Sequence, residues 1–153
     1  MANTYCKIYL HTVFAVKYKK AVIKPKWENE LHSVLGSLIN QSGGQSIIVN
    51  GTFDHIHCFF YKKPSVSESE LIKVVKAKSS KWVNESNYLD QRFSWQKGFG
   101  CFSFSESHRS QVYRYIANQK EHHKKLTFRE EYLKLLQSYD VEYDERYVFQ
   151  ILK

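Results

Sequence analysis

At 153 residues the chain has the length expected of one domain, and 42% hydrophobic with 25% charged residues excludes a disordered tail. No apolar stretch approaches the roughly 18 residues of a membrane span, and Lys7 and His11 interrupt the run from Tyr5 to Val16, which excludes a signal peptide. Lys and Arg number 23 against 15 Asp and Glu, and the net charge of +8 favours a polyanionic partner. Cys6, Cys58 and Cys101 form no CxxC pair and each lies in an apolar run. Buried free thiols in a soluble cytoplasmic protein are therefore expected.

From Cys6 to Tyr18, apolar residues alternate with Lys7, His11 and Lys17, which predicts a long strand with one core face. Lys24-Pro25 opens a helix whose Trp27, Leu31, Val34, Leu35, Leu38 and Ile39 recur at helical spacing, and Gly43-Gly44 stops it. Ser46 to Thr52 is a second strand, with Asn50-Gly51 as the hairpin turn into a third, Phe53 to Tyr61. Ser67 and Glu70 predict a capping box for a helix reaching about Glu85, with Leu71, Val75 and Trp82 inward. Its polar half carries Lys73, Lys76 and Lys81, either a phosphate-contacting stripe or an ordinary solvated face. Gly100 to Phe104 is a fourth strand, and a third helix runs from about Ser107 to Lys124. Thr127 with Glu130 caps a fourth helix, with Phe128, Tyr132, Leu135, Leu136 and Tyr139 as its apolar face. The order βαββαβ plus helices predicts an α+β, ferredoxin-like antiparallel sheet with two helices on one face and the other face free. The core spans about 5–125, with a C-terminal helical extension over about 126–153.

Within the third strand, His55 and His57 share a face about ~7 Å apart, a spacing at which two imidazoles can hold one divalent metal. Taken alone the pair is better explained as two polar residues on a wet sheet face. Tyr115, Gln119 and His122 fall at i, i+4 and i+7 of the third helix, hence on one side, whereas Tyr113 lies about 200° from Tyr115. A phenol is a poor nucleophile until a metal or base assists it. Gln119 carries a neutral oxygen within reach of the same metal. Asp54 adjoins the histidines but, as a strand neighbour, is expected on the opposite side. His122 and His123 receive no role.

His55-Ile56-His57, then Trp95-Gln96-Lys97-Gly98-Phe99-Gly100, then Tyr115-Ile116-Ala117-Asn118-Gln119 resemble the HUH single-tyrosine transposases of the insertion sequence 200/605 family. The likeness runs from the first strand to about His123. It implies that His55, His57 and Gln119 bind Mg2+ or Mn2+ and that Tyr115 attacks DNA. It implies a covalent 5′-phosphotyrosine intermediate, a free 3′-OH and no nucleotide cofactor. The implied substrate is single-stranded DNA with hairpins at the element ends, with Lys73, Lys76, Lys81 and Arg114 as candidate DNA contacts. The implied assembly is a homodimer in which one protomer's tyrosine helix completes the other's metal site.

Other readings compete. Lys97 to Phe104 approaches the RNP1 pattern of RNA-recognition motifs, which share the βαββαβ order, but it follows the second helix where RNP1 belongs on the third strand. A relative that processes hairpin DNA without moving an element, and a metal phosphoesterase using water, complete the alternatives.

Overall fold

The computed structural model describes residues 3–18 and 21–148. The sheet is built from β1 (Ile8–Ala15), β2 (Gly44–Gly51), β3 (His55–Lys62) and β4 (Gly100–Phe104), in the order β2-β3-β1-β4, with every neighbour antiparallel. Helices α1 (Pro25–Gln41) and α2 (Glu68–Glu85) connect the strands in the βαββαβ sequence. The expected α+β, ferredoxin-like architecture is the one observed.

Local rules account for both helices. Pro25 stands at the start of α1 with its φ already helical, and Trp27, Leu31, Leu35 and Ile39 are buried at four-residue spacing. Each such side chain taken out of water contributes roughly 1.5–3 kcal/mol. The chain leaves α1 through Gly43 at φ +101, a conformation that suits glycine. The Ser67 hydroxyl accepts from the Glu70 amide at 3.4 Å and caps α2, which buries Leu71, Ile72, Val75 and Val83. Both helices pack on the even-numbered side of the central strands, against Leu10, Phe14, Ile56, Cys58 and Phe60.

The opposite face is not free. Odd-numbered Tyr9, His11, Val13, His55, His57 and Phe59 are buried there as well. A central strand with rings on both parities needs cover on both faces. The cover comes from α3 (Arg109–Ala117), whose Ile116 packs on Tyr9 and Phe59. It is continued by α5 (Phe128–Ser138), whose Leu136 packs on Val13 and Phe102. The predicted extension thus holds α5 and the short α6 (Glu145–Val148), while 149–153 lie outside the described residues.

The predicted third helix is interrupted. It divides at Asn118 (φ −98, ψ 21) into α3 and a single turn, α4 (Gln119–His122). The Asn50 amide donates to the carbonyls of Ile116 at 2.9 Å and Ala117 at 3.2 Å, occupying acceptors that the next helical turn would use. Of the rings in the RNP1-like segment, Phe102 is buried and stacks on Tyr139, while Phe99 and Phe104 are half-buried against the two sides of the sheet. Cys58 is buried and Cys101 half-buried, but Cys6 is exposed, since it precedes β1. Among the described residues no helix is long and apolar enough to cross a membrane.

Candidate active site

The β2–β3 hairpin delivers the two histidines. Its loop is Thr52–Asp54, two residues later than the predicted Asn50-Gly51 turn. Gly51 instead ends β2 under close approach: a Cβ there would lie 2.1 Å from the His55 carbonyl oxygen. Asp54 therefore sits in the loop rather than on the strand, and period-two alternation does not govern it. Its carboxylate turns back to accept from Thr52 at 3.0 Å and from His55 Nδ1 at 2.8 Å. That contact corrects the expectation that Asp54 faces away. His55 and His57 are both wholly buried, with ring centroids 5.0 Å apart.

A carboxylate that sequence reasoning left aside lies at the centre. Glu131 of α5 is 1% exposed. Its Oε1 lies 3.0 Å from His57 Nε2, 3.3 Å from His55 Nε2 and 2.9 Å from His123 Nε2. Its Oε2 accepts from the Tyr115 hydroxyl and from Gln119 Nε2 at 2.9 Å. Gln119 Oε1 in turn faces His55 Nε2 at 3.1 Å. His55, His57 and Glu131 each offer one ligand atom, all within 4.8 Å of one another. Two imidazoles, a carboxylate and an amide oxygen suit a divalent cation, so the donor set fits a metal.

Residues 4–119 match the family model described as Transposase IS200 like. The chain belongs to the IS200-like transposase family. It is 22% identical to the ISDra2 transposase TnpA of Deinococcus radiodurans over 116 residues, covering 72% of this chain and 83% of that protein. Among solved structures, a D. radiodurans protein described as a transposase aligns with TM-score 0.61 and 22% identity, over 76% of this chain and 94% of that one. A REP-associated tyrosine transposase bound to a REP hairpin aligns with TM-score 0.58 and 13% identity, over 79% and 72%.

In this transposase the pocket's electrostatics set the protons. Burial opposes charge on His55, but hydrogen bonds and negative charge from Asp54 and Glu131 outweigh it and raise the ring to about 9. His57 goes the other way, to about 4, because burial exceeds the pull of Glu131. Burial works against the charged form of Glu131, yet hydrogen bonds and charge from His55 and His57 hold its carboxyl far below the usual range. Burial, then the charge and hydrogen bond of Glu131, push the Tyr115 phenol far above its usual range. The resting tyrosine is protonated and not yet a nucleophile.

His11 Nε2 lies 2.6 Å from His57 Nδ1, and burial followed by the charge of His57 keeps His11 neutral. One of the two facing nitrogens must carry the proton. If His11 donates, His57 Nε2–H points at Glu131. If His57 donates, its Nε2 lone pair is free for a metal. His11 supports either tautomer.

The structure brings His55, His57, Gln119 and Tyr115 into one pocket, despite the break at Asn118. The His122 ring packs on Tyr115, with centroids 4.7 Å apart. Arg114 is exposed on the same helix as Tyr115. Lys73 and Lys81 are exposed on α2, across the sheet from the pocket. Lys76 is half-buried, its amine donating to the carbonyls of Gln96 and Gly98 at 2.7 Å each. Three residues escaped the sequence reading, namely Glu131, His123 and His11. For Glu131 a signal existed: it falls at i+3 from Phe128 and i−4 from Leu135, a carboxylate on an apolar stripe.

Proposed function

We propose that this transposase cuts and rejoins single-stranded DNA through a covalent bond between Tyr115 and a 5′-phosphate, with Mg2+ or Mn2+ held by His55, His57 and Gln119. The observation that carries the reading is convergence: the Tyr115 hydroxyl and the Gln119 amide meet the same buried carboxylate as the two histidines. Nucleophile and ligands thus share one pocket. Bound there, the cation supplies Lewis-acid stabilisation of a phosphate oxygen.

The chain's own groups do the rest. The phenol oxygen forms the bond to phosphorus, the P–O3′ bond breaks, and the phenol proton ends on the 3′-OH. One phosphodiester is exchanged for another, so a second 3′-OH reverses the step and rejoins strands without a nucleotide cofactor. Burial of Tyr115 and the Glu131 charge favour the neutral phenol, so the nucleophile forms only when positive charge and substrate are in place. The His122 ring and Ile116 packing hold the tyrosine ring in line. The +8 charge supplies non-specific attraction to the strand, to which exposed Arg114, Lys73 and Lys81 contribute. The likeness to a tyrosine transposase bound to a REP hairpin supports a hairpin-bearing substrate, and the proposal includes the homodimer that the HUH and YIANQ resemblance implies. We extend the reading to the whole chain, the helical extension working with the core as one unit.

The test incubates labelled single-stranded hairpin DNA and the same sequence fully paired with Mg2+ or Mn2+, followed by a denaturing gel. An adduct on the single-stranded form only is expected, absent in Tyr115→Phe and His57→Ala and kept in Tyr113→Phe. An adduct retained by Tyr115→Phe, or duplex cleaved as fast as the hairpin strand, overturns the proposal.

A further inference from the structure

We infer that Glu131 is a direct ligand of the catalytic cation, which makes α5 part of the active centre, and that this nitrogen-and-oxygen set takes Mn2+ in preference to Mg2+. The inference rests on the metal-dependent reading above and adds a ligand that the HUH and YIANQ motifs do not contain.

Three observations carry it. First, the Glu131 carboxylate stands where the two motif imidazoles converge, with Oε1 close to Nε2 of His55, His57 and His123 at once. Among the described residues, no other carboxylate groups with His55 and His57 in this way. A buried carboxylate is costly unless opposite charge meets it, and a divalent cation supplies that charge.

Second, Glu131 orients Gln119. By accepting from Gln119 Nε2 at 2.9 Å it turns the amide so that Oε1, the only atom able to ligate, faces His55 Nε2 at 3.1 Å. The carboxylate thus joins His55 in fixing that orientation.

Third, α5 is anchored rather than poised to leave. Its first turn is closed by a capping box between Thr127 and Glu130. Phe128 stacks on the His55 ring at 4.4 Å and 20°, and Leu136 packs into the sheet. An inhibitory plug would need a segment able to withdraw; this one is built like a ligand-bearing wall. His123 then acts as the partner that holds the Glu131 oxygen in place.

The metal preference follows from donor chemistry. Mg2+ favours oxygen ligands in a near-octahedral shell and retains water, whereas imidazole nitrogen suits later divalent ions. Two imidazoles with a carboxylate and an amide oxygen therefore suit Mn2+ better than Mg2+.

The test is calorimetric titration of Mn2+ and Mg2+ into the full chain and into Glu131→Gln, Glu131→Asp and His57→Ala, with metal-free melting curves for each. The wild type should bind Mn2+ at least about 10-fold tighter than Mg2+. Glu131→Gln should weaken Mn2+ by about 10–100-fold, and Glu131→Asp, which keeps the charge and the fold, should lie between. Unchanged or tighter Mn2+ binding in Glu131→Gln, accompanied by faster adduct formation, identifies Glu131 as a plug and overturns the inference. Should Glu131→Gln not fold, wild-type affinity in Glu131→Asp overturns it equally. Loss of Mn2+ binding in His57→Ala with retention in Glu131→Gln removes Glu131 alone and leaves the metal site standing. Retention in His57→Ala removes the metal reading itself.

Discussion

His32 offers a test of how burial sets proton affinity in this fold, away from the catalytic pocket. It lies on α1, its Nε2 has no hydrogen-bond partner among the described residues, and burial lowers its pKa to about 4 against the pull of Glu28. Lys120, itself 3.3 Å from Glu28, pushes in the same direction as burial. Relative to an unfolded value near ~6.5 the full shift corresponds to about 3.4 kcal/mol. The folded chain resists a proton that the unfolded chain accepts, so stability falls as pH drops below about 6.5 and stops falling near about 4. By pH about 4.5 roughly 2.5 kcal/mol of that is lost, and since solvent reaches the half-buried ring we halve it to about 1.3 kcal/mol. The perturbation is His32→Gln, which keeps a polar side chain but does not titrate. Urea denaturation of metal-free wild type and variant at pH 7.5 and 4.5 gives the comparison. His11 and His57 titrate in both proteins and cancel. The wild type should lose about 1.3 kcal/mol more than the variant on acidification. An equal loss in both would refute the burial argument.

Gly51→Ala should destabilise the chain by about 3 kcal/mol or more, because its Cβ would meet backbone at 2.1 Å rather than a side chain that can rotate away. Calorimetry should register a fall in Tm of about 6–12 °C, and a fall below about 2 °C would show that the hairpin yields. Lys76→Ala should cost about 1–2 kcal/mol, since it releases the Gln96 and Gly98 carbonyls. Lys73→Ala should leave urea stability unchanged within about 0.5 kcal/mol while lowering the salt dependence of single-strand binding by about one phosphate contact. The reverse pattern would exchange their roles.

Much of this molecule follows from local sequence. Period-two runs placed the strands, four-residue apolar spacing placed α1 and α2, and Thr127 with Glu130 marked the start of α5. The same local geometry put His55 with His57 on one strand face, and Tyr115 with Gln119 on one helix face, because such periodicities are set by backbone dihedrals within a few residues. The errors came where a specific contact overrode the local periodicity. Asn50 divides the third helix from 66 residues away. Asp54 leaves strand alternation because Gly51 admits a close backbone approach.

The sequence by itself determined the order of elements, the faces of the motif residues and the basic balance, all of which depend on near neighbours or on sums. Only the tertiary structure decided what covers the second face of the sheet and which carboxylate enters the pocket. Glu131 lies 74 residues from His57 and 16 from Tyr115, and no repeat in the chain encodes either separation. The meeting follows from the packing of α5 across β1 and β4, where apolar Val13, Phe102 and Leu136 leave water together and carry a charged neighbour inward with them.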